Sequence, residues 1–127
     1  REPATITAQG LVMTDVDSLL RSVRKFSEDR DWAQFHSPKN LACALSVEAA
    51  ELLEHFQWLS EEQSRTLSPD QRIEAGAEIA DVFLYLVQLS DALEIDLMTV
   101  AREKLMTNAE KYPVEKARGT SKKYTEL

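Results

Sequence analysis

The stretch at residues 41–58, LACALSVEAAELLEHFQW, constrains the fold more than any other part of the chain. Leu41, Leu45, Leu52 and Phe56 fall close to the 3.6-residue period of a helix and form one apolar stripe. Glu48 lies near the middle of that stripe, and Glu51 sits one turn on at its flank. A carboxylate among leucines loses hydration, so it either finds a partner or stays protonated. A second helix, expected over about residues 69–93, repeats the arrangement with Glu78 and Asp81. Two acidic i, i+3 pairs on two apolar helices point to four carboxylates facing one another across a metal ion.

The rest of the chain supplies the partners for these helices. Residues 1–13 carry no clear period and are expected to be loosely ordered. Thr14 or Asp15 caps a first helix whose stripe is Val16, Leu19, Leu20, Val23 and Phe26 and which ends near Asp29. Trp32 and Phe35 then stand in a short polar connection, as core plugs or as walls for a flat ligand. Ser37-Pro38 starts the central helix, which is expected to run to about Trp58. Residues 59–67 are charged and serine-rich and read as a loop. Ser68-Pro69-Asp70-Gln71 is a capping box with Pro at the first helical position. Along the helix that follows, Ala75, Ile79, Val82, Leu86, Leu89 and Leu93 make the stripe, and Gly76 offers a place for close helix approach. Asp96 caps a fourth helix that stops before Tyr112-Pro113, because the residue before proline leaves the helical region. Lys104, Asn108 and Lys111 share one row of it. No alternating strand pattern competes. The expected fold is all-α, a four-helix bundle-like domain over residues 14–112 with a basic tail at 113–127. Helices this short with apolar faces this wide gain from burial against a second copy, so a homo-oligomer is expected.

Charge narrows the function classes. The formal net charge of −7 disfavours nucleic acid and anionic membranes as partners. No apolar run approaches the ~20 residues that span a bilayer, no signal peptide is expected, and the single cysteine, Cys43, fits a reducing, cytoplasmic setting. Residues 111–127 carry five basic side chains (Lys111, Lys116, Arg118, Lys122, Lys123) against Glu115 and Glu126, so the tail is about +3 beside an acidic body. Such a tail either contacts an anionic ligand or is a solvated terminus.

The acidic pairs carry the chemistry. Hard divalent cations such as Mg²⁺ take oxygen ligands, keep watered positions and meet their substrates through phosphates. If the two long helices pack antiparallel, Glu48, Glu51, Glu78 and Asp81 converge, and a cation resolves their repulsion. One such pair alone is common on a solvated helix face. Two pairs bordering apolar stripes are not. A di-iron bundle requires Glu-x-x-His on two helices. Here His55 follows Glu51 at i+4 and the other histidine is His36, so His55 reads as a surface or inter-helix residue. Three glycines and one cysteine exclude a Gly-rich phosphate loop and a Cys/His zinc pattern.

At this point the residues resemble a known family. Glu48-x-x-Glu51 followed by Glu78-x-x-Asp81 is similar to the acidic signature of the MazG-like all-α nucleoside triphosphate pyrophosphohydrolases. The resemblance extends through Arg30-Asp31-Trp32, Gln34-Phe35-His36, Pro38-Lys39-Asn40-Leu41, Phe56-Gln57-Trp58, Asp81-Val82, Tyr85-Leu86-Val87, Asn108, Tyr112-Pro113 and Lys123-Tyr124-Thr125-Glu126-Leu127. It covers residue 16 to the end and looks most like the dCTP pyrophosphatase branch. Two positions depart from the pattern. Val47 stands where many members double the acid, and Val23 stands where the branch carries a histidine near the base.

The resemblance implies a MazG-type fold and a Mg²⁺-dependent hydrolysis, with Mn²⁺ as a substitute. The substrate would be a (deoxy)nucleoside triphosphate, dCTP or a modified dCTP, and the products the monophosphate and pyrophosphate. It further implies that Glu48, Glu51, Glu78 and Asp81 hold the metal and carry the catalysis. Trp32, Trp58 and Tyr85 would form the base and sugar pocket, bordered by Phe35 and His36. Lys104, Asn108 and Lys111 would approach the phosphates, and Lys123 with Tyr124 would close over the site. It also implies dimers or tetramers with sites near subunit interfaces. Two alternatives stand beside it: the same chemistry on dUTP or phosphoribosyl-ATP, and a non-catalytic helical interaction module that keeps the bundle and uses the acids as surface.

Overall fold

The computed structural model describes residues 15–127, which form helices and turns with no strand among the described residues. The caps expected from sequence set most of the boundaries. Asp15 accepts from the backbone N–H of Ser18 at 2.7 Å and opens α1, Val16–Asp29. A turn with Asp31 at φ 53° leads into a 3-10 turn at Ala33–Phe35. Ser37 accepts from the Asn40 N–H at 3.2 Å, Pro38 fills the first helical position, and α2 runs Pro38–Glu54. The Asn40 side chain donates to the Phe35 carbonyl at 3.0 Å and pins the aromatic turn to the start of α2.

Two expectations need correction here. The central helix ends at Glu54, four residues before Trp58. From His55 on, the N–H groups of His55, Phe56 and Leu59 reach three residues back, to Leu52, Leu53 and Phe56, so the helix tightens and dissolves into turns. The segment read as a loop holds a one-turn helix, α3, Glu61–Arg65. Ser60 and Gln63 form a reciprocal capping box there, which leaves the short helix with satisfied N-terminal donors.

Ser68 and Gln71 form the second capping box and open α4, Pro69–Ala92. α4 packs along α2 and also touches α1. Leu41, Ala75 and Val87 are the most deeply buried apolar side chains, at 2%, 4% and 2% exposure, and they mark the α2–α4 seam as the core. The stripe read from sequence is wider than what this seam covers: Ile79, Leu86 and Leu93 remain exposed. A Cβ placed on Gly76 would meet nothing within 4 Å, so among the described residues no helix approaches closely at that glycine. An ion pair ties α1 to α4, with Arg24 Nε donating to Asp91 Oδ2 at 3.0 Å and Arg24 Nη2 donating to Asp91 Oδ1.

The first compact unit ends at Glu94, and Ile95–Leu127 forms a second. In the second unit Asp96 accepts from the Thr99 N–H at 3.2 Å and opens α5, Leu97–Lys111, which stops before Tyr112 and Pro113 as expected. A short α6, Val114–Ala117, and a 3-10 turn at Tyr124–Glu126 follow. The tail folds back on the end of α5: the Tyr112 and Tyr124 rings meet edge to face at 5.9 Å, and Lys111 Nζ stands 4.9 Å from the Tyr124 ring centre. The loosely ordered segment expected at residues 1–13, together with Thr14, lies outside the described residues.

Candidate metal centre

Period and packing together build the acidic site. Glu48 rides on the core-facing side of α2 and is half-buried; Glu78 and Asp81, three apart on α4, face it across the seam. Carboxylate oxygens of Glu48, Glu78 and Asp81 all lie within 4.8 Å of one another. The helices run antiparallel, since residues 41 and 88 line one cavity while residues 48 and 81 share this cluster. Glu51 adjoins the triad through Glu48, close enough to raise the Glu48 carboxyl.

The electrostatics follow from this crowding. Glu48 is pushed up to about 7 from its ordinary 4.5, first by burial, then by the adjacent Glu51 carboxyl, then by the charges of Glu78 and Asp81. Glu78 Oε2 is buried and has no hydrogen-bond partner among the described residues. His55 Nε2 stands 4.0 Å from Glu78 Oε1, too far for a hydrogen bond. A buried carboxylate oxygen without a donor is costly, and an all-oxygen donor set of this charge suits a hard divalent cation. The residues present therefore fit such an ion. His55 lies toward α4, the second of the two placements, surface or inter-helix, expected of it.

The other expected residues are placed as follows. Trp32 is 42% exposed and meets the rings of Phe26 at 5.6 Å and His36 at 6.3 Å, both edge to face. Phe35 is exposed and His36 half-buried. The core-plug reading of Trp32 and Phe35 does not describe them. Trp58, in the turn after α2, is 86% exposed, and Tyr85 is half-buried on α4 one turn beyond Asp81. In the second unit Lys104 and Asn108 are exposed on α5, Lys111 at its end is half-buried, and Lys123 precedes the final 3-10 turn beside Tyr124.

Sequence reasoning did not find a cavity of about 220 Å³ walled by α1, α2 and α4. Leu20, Val23 and Leu41 give it apolar surface, and His36, Arg24 and Asp91 give it polar edges. The pair that marks it joins positions 67 residues apart, beyond the reach of any linear motif.

Comparison with known proteins adds the following. The sequence model of the MazG-like family matches residues 43–127. The chain is 39% identical to dCTP pyrophosphatase 1 of Homo sapiens over 114 residues, 88% of this chain and 67% of that protein. It is 38% identical to dCTP pyrophosphatase 1 of Bos taurus, over 95% of this chain and 75% of that protein. Among solved structures, a pyrophosphatase from Archaeoglobus fulgidus superposes with a TM-score of 0.72 and 41% identity, over 76% of this chain and 91% of that one.

Proposed function

We propose, from the premise that the chain belongs to the MazG-like family, that this hydrolase cleaves a (deoxy)nucleoside triphosphate to the monophosphate and pyrophosphate with Mg²⁺, Mn²⁺ serving as a substitute. The preferred substrate in this reading is dCTP or a modified dCTP, which the dCTP pyrophosphatase relatives support. The single observation that carries the chemistry is the carboxylate triad with its unpartnered Glu78 oxygen. When bound, the ion supplies positive charge to the triphosphate oxygens and lowers the pKa of a water.

The chain's own residues have distinct tasks in this reading. Glu48, Glu78 and Asp81 hold the ion, with Glu51 beside Glu48 as the fourth carboxylate. One of the glutamates orients the attacking water and accepts its proton. Trp32, Trp58 and Tyr85 hold the base and sugar, with Phe35 and His36 at the border, and the exposed faces of Trp32 and Trp58 support that role. Lys104, Asn108 and Lys111 neutralise phosphate charge, and Lys123 with Tyr124 closes over the site. The enzyme works as a homo-oligomer, a dimer or tetramer.

The test is a product assay across the dNTPs, with and without Mg²⁺, that resolves pyrophosphate from phosphate. Metal-dependent pyrophosphate release, strongest with dCTP, is expected. Release of single phosphate, or no turnover by folded protein, would overturn the reading. Glu48→Ala and Glu78→Ala variants are expected to fold and to lose both turnover and Mg²⁺ binding.

A further inference from the structure

The cavity between α1, α2 and α4 lies at a definite distance from the acidic triad. Leu41, on its wall, precedes Glu48 by seven residues, and Gln88 follows Asp81 by seven. At 1.5 Å rise per residue the near wall of the cavity lies about 10 Å from the triad along both helices, and Asp91, ten residues past Asp81, about 15 Å along α4. That is roughly the reach of a nucleotide from its phosphates, across the sugar, to its base. At about 220 Å³ the cavity is smaller than the ~300–1,000 Å³ that holds a whole drug-sized ligand, so it suits one ring system rather than a nucleotide.

The polar edge of the cavity has a definite pattern. Gln88 already donates its amide N–H to the Leu84 carbonyl at 3.2 Å. Arg24 and Asp91 stand there as neighbouring donor and acceptor, with Ser27, Glu28 and His36 on the same lining. Each Asp91 oxygen accepts one bond from Arg24 and keeps a lone pair, and Arg24 uses two of its five N–H donors on Asp91. Arg24 also holds the Asp91 carboxyl below the ordinary carboxylate range, so Asp91 only accepts near neutral pH.

We propose that the Arg24–Asp91 pair selects cytosine as the base, Asp91 accepting from the exocyclic amine and Arg24 donating to the ring nitrogen and carbonyl. This rests on the triphosphate reading above and deepens it: the hydrogen-bonding edge of the base enters this cavity, which Trp32, Trp58 and Tyr85 do not line, and those rings are left to the sugar and the outer face of the base. Uracil and thymine turn a carbonyl oxygen toward the Asp91 carboxylate, where lone pairs oppose one another, and are rejected by that repulsion. The pair is open enough to shift as the base enters, with side-chain exposures of 52% and 31%.

The experiment measures kcat and KM for dCTP and dUTP, and binding of dCMP by calorimetry, in the wild type, Asp91→Asn and the charge swap Arg24→Asp/Asp91→Arg. Asn replaces an acceptor by a donor toward the base, so in Asp91→Asn the dCTP-over-dUTP ratio of kcat/KM should fall about tenfold or more, through KM, as for loss of a paired base contact. dCMP binding should weaken with it. The swap restores the bridge between α1 and α4 and its thermal stability, but it inverts the edge, so the ratio stays low. An unchanged ratio in Asp91→Asn overturns the proposal, as does a swap that regains ratio and stability together, the mark of a purely structural bridge. If Asp91→Asn fails to fold, the swap alone decides on the same criterion. Wild-type protein that releases pyrophosphate from no nucleotide overturns the triphosphate reading instead, which separates the two failures.

Discussion

Glu48 shows how a single side chain reports on what its surroundings are built to hold. Its carboxyl is half-buried against three other acids and raised to about 7. The folded, metal-free protein therefore binds a proton more readily than the unfolded chain, whose glutamate titrates near the ordinary 4.5. The sign follows: between these values the folded state holds the extra proton, so stability grows as pH falls through 7 and is lost as pH rises through 7. Glu48→Gln removes that penalty. The metal-free variant should melt higher than wild type at pH 8, with the gap narrowing by pH 5.5, in paired thermal melts. The same substitution should lower Mg²⁺ affinity at least ~tenfold, since even groups behind the ligands cost that much. Asp91 behaves oppositely. Arg24 lowers it from its ordinary 3.8, so its contribution to stability is present above that value and is lost only as pH falls below it. All four acids were legible in the sequence because each sits beside a periodic apolar stripe. The Arg24–Asp91 pair was not, because both positions look like ordinary solvated charge until α1 and α4 meet.

At the scale of the element, helix starts were easier to read than helix ends. Asp15, Ser37, Ser68 and Asp96 each cap as expected, because an N-cap is a local bond between a side chain and a backbone N–H three residues on. Ser60 and Gln63 carry the same signal, and only the surrounding polarity made that segment read as loop. The stop of α2 at Glu54 has no comparable local signature; it depends on where the chain must turn to reach α3. Two substitutions test the energetics of α4. Gly76 lies inside the helix with open space where a Cβ would go, so Gly76→Ala should stabilise by about 1 kcal/mol, raising Tm by about 4 °C. Glu94, just past the end of α4, has φ 55°, a left-handed conformation that costs a non-glycine residue about 1 kcal/mol. Glu94→Gly should therefore also raise Tm, and a fall in Tm would show that the Glu94 side chain makes a compensating contact.

At the scale of the whole molecule, apolar surface remains to be accounted for. Ile79, Phe83 and Leu86 recur at i, i+4 and i+7 on α4, the spacing of a packing face, yet all three are exposed. Ile73 on the same helix is 71% exposed. Isolated exposed leucines are ordinary, but a row at helical spacing on the helix that carries Glu78 and Asp81 is what a protein–protein interface looks like from one side. This row is also why the sequence stripe looked wider than the seam between α2 and α4: it adds exposed apolar positions to those that face the core. Light scattering coupled to size exclusion should give a dimer or tetramer for the wild type. Ile79→Lys combined with Leu86→Lys places charge at the centre of that face, where unpaired burial is costly, and should shift the mass to the monomer while α-helical circular dichroism persists. A monomeric wild type would remove the interface and leave this row as surface. If the sites also lie near subunit interfaces, as the family resemblance implies, the monomeric variant should lose turnover as well, because Glu78 and Asp81 stand on the same helix as the disrupted face.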